Sequence, residues 1–102
     1  MLITDPETQL ADRTTALEML RSRASAENGT GERRDGKVAD LGWIVAENLE
    51  DQFAARELVD GLTSAYSALA LASYHPDQPI DPKRRAVFEA IGALEKATET
   101  AH

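Results

Sequence analysis

The longest uninterrupted pattern in the chain covers residues 38–74, VADLGWIVAENLEDQFAARELVDGLTSAYSALALASY. This stretch contains no proline, and only Gly42 and Gly61 lower its helix propensity, because glycine loses more backbone entropy on folding than alanine does. We therefore predict one long central helix over 38–74, about 55 Å long at a rise of about 1.5 Å per residue, with the rest of the chain packed against it.

The apolar residues of this stretch change face partway along, at an advance of about 100° per residue. The first apolar stripe consists of Leu41, Val45, Leu49 and Phe53. The second stripe consists of Leu58, Leu62, Tyr66 and Leu69. The stripes differ in direction by about 130°, so a single neighbour cannot cover both. Either the chain breaks between residues 51 and 57, with Asp51 as the N-cap of a second helix, or it continues and changes partner; the helix-forming residues after Asp51 favour continuity.

Shorter helices are predicted on both sides of the central one. Asp5-Pro6 and Asp81-Pro82 each combine an N-cap residue with a proline at the first helical position, which predicts helices over 6–26 and 82–98. Residues 28–36, NGTGERRDG, are rich in turn-forming residues and predict a mobile loop. The expected fold is an all-α single domain over 1–102, a three-helix bundle with a long central helix and two shorter flanking helices.

Charge and composition limit the classes of partner. The net charge is −7, and residues 38–82 hold eight acidic residues and one basic residue, Arg56. Such a chain would repel nucleic-acid phosphates, so we expect no nucleic-acid partner, and a charged protein partner should be basic. The chain has no cysteine, and its start, MLITDPETQ, lacks the basic and apolar regions of a signal peptide. We therefore expect a cytoplasmic protein with no membrane segment.

A protein interface is predicted on the central helix. Residues 65–72, AYSALALA, are apolar almost all round, which is typical of a segment buried on several sides, and are too few to span a bilayer. We expect a homodimer, with an interface formed by Leu62, Tyr66, Leu69 and Leu71. Trp43 is expected either to pack in the core, against the helix over 6–26 or the loop over 28–36, or to be a partly exposed anchor for a partner, because tryptophan is enriched at binding hot spots. The basic residues Lys83, Arg84 and Arg85 are expected to contact the acidic residues of the long helix or of a partner.

Two pairs of carboxylates have a spacing that could hold a metal ion. Glu47-x-x-Glu50 and Glu57-x-x-Asp60 would each place two side chains on one face of a helix. The pattern resembles that of the all-α nucleotide pyrophosphohydrolases, in which E-x-x-E and E-x-x-D hold magnesium, and the resemblance implies a magnesium-dependent hydrolase. In that family the pairs lie on separate facing helices with a longer stretch between them, whereas six residues separate Glu50 from Glu57 here.

These observations favour a non-enzymatic helical protein–protein interaction module with no cofactor. We expect a small cytoplasmic regulator, inhibitor or adaptor that binds an unidentified protein. Arginine outnumbers lysine by eight to three and alanine is abundant, a usage typical of GC-rich bacteria and their phages. Two alternatives stay open: an acidic decoy that mimics DNA, and the magnesium-dependent nucleotide hydrolase implied by Glu47, Glu50, Glu57 and Asp60.

Overall fold

The structure is a computed structural model that describes residues 12–29, 36–47, 49–74 and 76–99. Within these ranges the chain is all-helical, as predicted, and contains no strand. The helices are α1 (Arg13–Ala26), α2 (Gly36–Ala46), α3 (Gln52–Ala70) and α4 (Ile80–Glu99), and a short 3₁₀ turn (Ala72–Tyr74) follows α3.

The prediction of one continuous helix over 38–74 is wrong, because one helix ends at Ala46 and the next begins at Gln52. Asp51 has an extended backbone, and its Oδ1 accepts hydrogen bonds from the N–H groups of Phe53 at 3.0 Å and Ala54 at 3.1 Å. This capping satisfies two N–H groups that would otherwise lack partners at the start of α3. The break resolves the conflict between the two apolar stripes, since α3 can fold back on α2 and present its own apolar face. The part of the chain described thus has four α-helices instead of three.

The flanking helices also differ from their predicted bounds. Asp12 is the N-cap of α1, so the predicted helix over 6–26 does not continue through this residue, and residues 6–11 lie outside the described ranges. The N–H of Thr15 donates to Asp12 Oδ1 at 2.8 Å and holds the pKa of this carboxyl below its usual value. Helix α4 begins at Ile80, two residues earlier than predicted, and Pro82 lies in its first turn, where a missing N–H costs little. Most of the predicted loop over 28–36 likewise lies outside the described residues.

The core is formed where the four helices meet. Helix α4 packs against each of the other three, and α1 also packs along α2. Gly42 marks a close approach of α2 to α3, because a Cβ there would lie 3.3 Å from Val59 Cγ1 and 3.4 Å from Leu62 Cδ2. The largest apolar side chains with essentially no exposure are Leu20, Leu41, Leu62, Leu69, Ile91 and Leu94. None of the described helices is both long enough and apolar enough to cross a membrane.

Candidate protein-interaction surface

The residues predicted to form a dimer interface lie mostly inside a single chain. Leu62 and Leu69 are fully buried and Tyr66 is only 7% exposed, so these three side chains lie in the core of a single chain. The cause is the packing of α3 on α4, which covers the second apolar stripe within one chain. Leu71 is half-buried at the C-cap of α3. Dimerisation itself stays a prediction.

Three large apolar side chains are exposed instead. They are Trp43 at 40%, Phe53 at 71% and Tyr74 at 74%. Trp43 lies three residues before the end of α2 and Phe53 is the second residue of α3, so both lie where these helices connect. Tyr74 lies beyond the other end of α3, in the 3₁₀ turn. Trp43 is exposed, as an anchor for a partner would be. Phe53 was predicted to belong to the first apolar stripe, but the helix that would carry this stripe is interrupted before Phe53.

We call the exposed region at this connection the hairpin corner, formed by Trp43, Glu47, Glu50, Asp51 and Phe53. Two backbone hydrogen bonds stabilise its conformation, from Glu47 N to Ile44 O at 3.4 Å and from Leu49 N to Ala46 O at 3.0 Å. Leu49 packs against the core, and Gln52 Nε2 donates to Leu49 O at 3.0 Å. The corner is therefore held in place from inside while its aromatic and acidic side chains face outward.

Acidic residues accompany each aromatic residue along its helix. Asp40, Trp43 and Glu47 follow one another at i, i+3 and i+7 and are all exposed, so they share one face of α2 and its final turn. The equivalent exposed face of α3 carries Phe53, Glu57 and Asp60. Residues 38–60 contain six acidic residues and a single basic one, Arg56. The two exposed aromatic side chains are therefore set in a strongly acidic surface.

The interruption between α2 and α3 affects the two predicted metal-binding pairs differently. Glu47 and Glu50 lie in the connection between α2 and α3, so they do not occupy one face of a helix as predicted. Glu57 and Asp60 do lie on one face of α3, and all four side chains are exposed. Among the described residues, no three His, Cys, Asp or Glu side chains are grouped so that they could hold a metal ion.

The basic residues at the start of α4 were predicted to contact the acidic residues of the central stretch or of a partner. Within the chain they do not reach those acidic residues. Arg84 donates from Nε to Ala24 O at 3.0 Å and from Nη2 to Glu27 O, and its Nη1 lies 3.7 Å from Asp81 Oδ1. Lys83 donates to Gln78 Oε1 at 2.6 Å, and Arg85 is exposed. The carbonyl groups at the end of a helix lack partners and carry partial negative charge, which explains why a cation is stabilised there.

A second arginine makes the reciprocal contact at the other end of α1. Arg13 donates from Nε to Thr98 Oγ1 at 2.8 Å and from Nη2 to Glu95 O at 2.8 Å, at the C-terminal end of α4. Arg21 Nη2 lies 2.5 Å from Glu95 Oε1. Each of the two helices thus provides an arginine that binds near the C-terminal end of the other, Arg84 to two carbonyl groups and Arg13 to one carbonyl group and one hydroxyl group. Sequence patterns did not reveal these contacts, because the partners lie 57 to 85 residues apart.

Hydrogen bonds also close the C-terminal end of α3. Tyr66 Oη donates to Glu27 Oε1 at 3.0 Å, and Glu27 Oε2 accepts from Gly29 N at 3.2 Å. Gly29 O in turn accepts from Ser73 N at 3.0 Å. Gly29 has a φ of 84°, which a side chain would strain, and an added Cβ would lie 3.0 Å from Ala72 Cβ.

Comparison of the chain with protein-family models, curated proteins and solved structures finds no match. Packing inside the chain does not explain the exposure of Trp43, Phe53 and Tyr74. Trp43 and Phe53 lie at the same connection between helices, within an acidic surface, whereas Tyr74 lies alone beyond the other end of α3.

Proposed function

We propose that this chain is a non-enzymatic helical protein-interaction module, a small regulator, inhibitor or adaptor that binds its partner through the hairpin corner. The observation that carries the proposal is the 71% exposure of Phe53, close along the chain to the partly exposed Trp43. Aromatic side chains supply a large apolar area at low entropic cost, and they are enriched at the centres of protein interfaces. The internal hydrogen bonds of the corner support the same view, since a preformed surface loses less entropy on binding.

A different protein suits this surface better than a second copy of the chain. A two-fold interface centred on the hairpin corner would bring the two corners together and so place like-charged acidic side chains next to each other, which disfavours association. The predicted homodimer also loses Leu62, Tyr66 and Leu69 as interface residues, because they are buried. Light scattering at micromolar concentration should give the mass of one chain. If the unmutated chain were a dimer and Phe53→Ala a monomer, the hairpin corner would instead bind a second copy of the chain.

Affinity capture with matched variants tests the proposal. The unmutated chain, Phe53→Ala and Tyr74→Ala would be immobilised and exposed to a bacterial lysate, and bound proteins would be quantified by mass spectrometry. Tyr74 is the control because it is as exposed as Phe53 but lies beyond the opposite end of α3. We expect a protein whose recovery falls at least about tenfold with Phe53→Ala, equivalent to about 1.4 kcal/mol, and is unchanged with Tyr74→Ala.

Two results would contradict the proposal. Equal recovery with all three forms of the chain would show that the hairpin corner does not bind the captured protein. An equal loss with Tyr74→Ala and Phe53→Ala would show that exposed aromatic residues act without regard to position. Circular dichroism of each variant would establish beforehand that the helices are retained.

A further inference from the structure

We infer that the hairpin corner recognises a basic protein surface, in which an apolar cleft for an aromatic side chain is bordered by lysine or arginine. This inference rests on the proposed function and specifies the chemistry of the partner. It is drawn from the position of the carboxylates relative to the two exposed aromatic residues. These positions restrict the charge of any partner surface that covers Trp43 and Phe53.

Each exposed aromatic residue lies within one helical turn of carboxylates on the same face. Trp43 lies between Asp40 and Glu47, and Phe53 precedes Glu57 by four residues. Side chains three or four positions apart on a helix have Cβ atoms about 5–6 Å apart, so a partner that covers the aromatic ring also covers the carboxylates. The charge of the partner near these carboxylates therefore decides whether the contact is favourable.

Only a partner surface that carries positive charge can cover the aromatic rings and also pair with the neighbouring carboxylates. A neutral apolar surface would bury the carboxylates without partners, and removing a charge from water without pairing it costs free energy. An acidic surface would be repelled, as would nucleic-acid phosphates and anionic lipid headgroups. A surface with lysine or arginine around an apolar cleft pairs the carboxylates and covers the rings, and opposite charges also speed the encounter of the two proteins.

The carboxylates needed for this recognition are available. Glu47, Glu50 and Glu57 are exposed, and none makes a side-chain hydrogen bond or ion pair with another described residue. Asp51 differs, since its Oδ1 caps α3. Neutralising the three glutamates should therefore change the charge of the corner and leave the fold intact, whereas changing Asp51 would weaken the helix start.

Trp43 is the only tryptophan of the chain, so its fluorescence reports directly on the corner. The probes would be three amphipathic helical peptides of equal length without aromatic residues, built from leucine with lysine, with glutamate or with glutamine. We expect the lysine peptide alone to shift Trp43 emission to shorter wavelength. Its affinity should fall at least about tenfold between about 0.1 M and about 1 M salt, because the Debye length shrinks from about 10 Å to about 3 Å.

A pair of charge-matched variants completes the test. Glu47→Gln/Glu50→Gln/Glu57→Gln removes three charges from the corner and should weaken binding of the lysine peptide at least about tenfold. Asp77→Asn/Glu89→Gln/Glu99→Gln removes three exposed charges elsewhere and should bind the peptide nearly as well as the unmutated chain. Equal weakening by both triple variants would show attraction to net charge alone and would overturn the inference.

The peptide results also separate this inference from the proposed function. Equal responses to all three peptides would overturn the basic-partner inference and leave the corner as a binding surface selected by its apolar residues. No response to any peptide at up to about 1 mM, a limit of about 4 kcal/mol in binding free energy, would also overturn the inference. In that case the capture experiment with Phe53→Ala would decide separately whether the corner binds proteins at all.

Discussion

The two ends of α3 use their polar and aromatic residues in opposite ways. At the C-terminal end, Tyr66 donates to Glu27, and Gly29 links this carboxylate to the backbone of the 3₁₀ turn. At the N-terminal end, Phe53 is 71% exposed, and Glu50 faces solvent. At the C-terminal end these polar groups bind one another, and Tyr74 is the exposed aromatic residue. At the N-terminal end Asp51 caps α3, while the side chains of Phe53, Glu47 and Glu50 are exposed.

This difference indicates where the chain contributes to its own stability and where it does not. Phe53 lies in the first turn of a helix, where alanine would have a higher helix propensity and a smaller exposed apolar area. A large aromatic residue at such a position brings little to folding. Positions that depart from local preferences without a structural gain are expected at functional sites. The exposure of Phe53 therefore supports the proposed role of the hairpin corner as a binding surface.

The largest expected effect lies between the two ends, at Leu62. Leu62→Ala should lower the free energy of unfolding by about 2–5 kcal/mol, because it removes a fully buried side chain and leaves a cavity. Urea denaturation followed by circular dichroism measures this change. Glu47→Ala is the control and should change the free energy by less than about 0.5 kcal/mol, as expected at an exposed position. Similar effects of the two substitutions would contradict the observed packing of α3.

An intermediate effect is expected at Arg84, near the C-terminal end of α3. Arg84→Ala should destabilise the chain by about 1.5–3 kcal/mol, because the carbonyl groups of Ala24 and Glu27 lose a charged hydrogen-bond donor. Arg85→Ala, at the adjacent exposed position, should change the free energy of unfolding by less than about 0.5 kcal/mol. The same denaturation experiment applies to both variants. If they behaved alike, the arginine contacts would not stabilise this end of the molecule.

The smallest effect on stability is expected at the hairpin corner. Phe53→Ala should change the free energy of unfolding by less than about 0.5 kcal/mol, because the side chain is mostly exposed and alanine favours the helix. The substitution should nevertheless lower the recovery of the captured partner at least about tenfold, so stability and binding would separate at this position. Destabilisation by more than about 1 kcal/mol would mean that Phe53 packs within the fold, and the contrast between the two ends of α3 would disappear.

Local sequence chemistry predicted the elements better than their connections. The capping ability of Asp51 was visible in the sequence, but the helix propensity of the residues after it favoured continuity. The structure breaks the helix because a continuous one would direct Leu41 and Leu62 to different sides, leaving one apolar stripe uncovered. Burial of Leu41, Val45, Leu62 and Leu69 in one core outweighs the loss of a few backbone hydrogen bonds. The exposure of Phe53 was missed for the same reason, because a continuous helix places it in one stripe with Leu41 and Val45.

The sequence by itself determined that this chain is helical in its described part and that the excess of acidic over basic residues lies between residues 38 and 82. Both follow from residue type and spacing along the chain, which act over a few residues. Tertiary structure decided that Leu62 is buried and Phe53 exposed, and that Arg84 binds carbonyl groups at the end of α1. Those outcomes depend on which segments pack together, and the partners of Arg84, for example, lie 57 and 60 positions away along the chain.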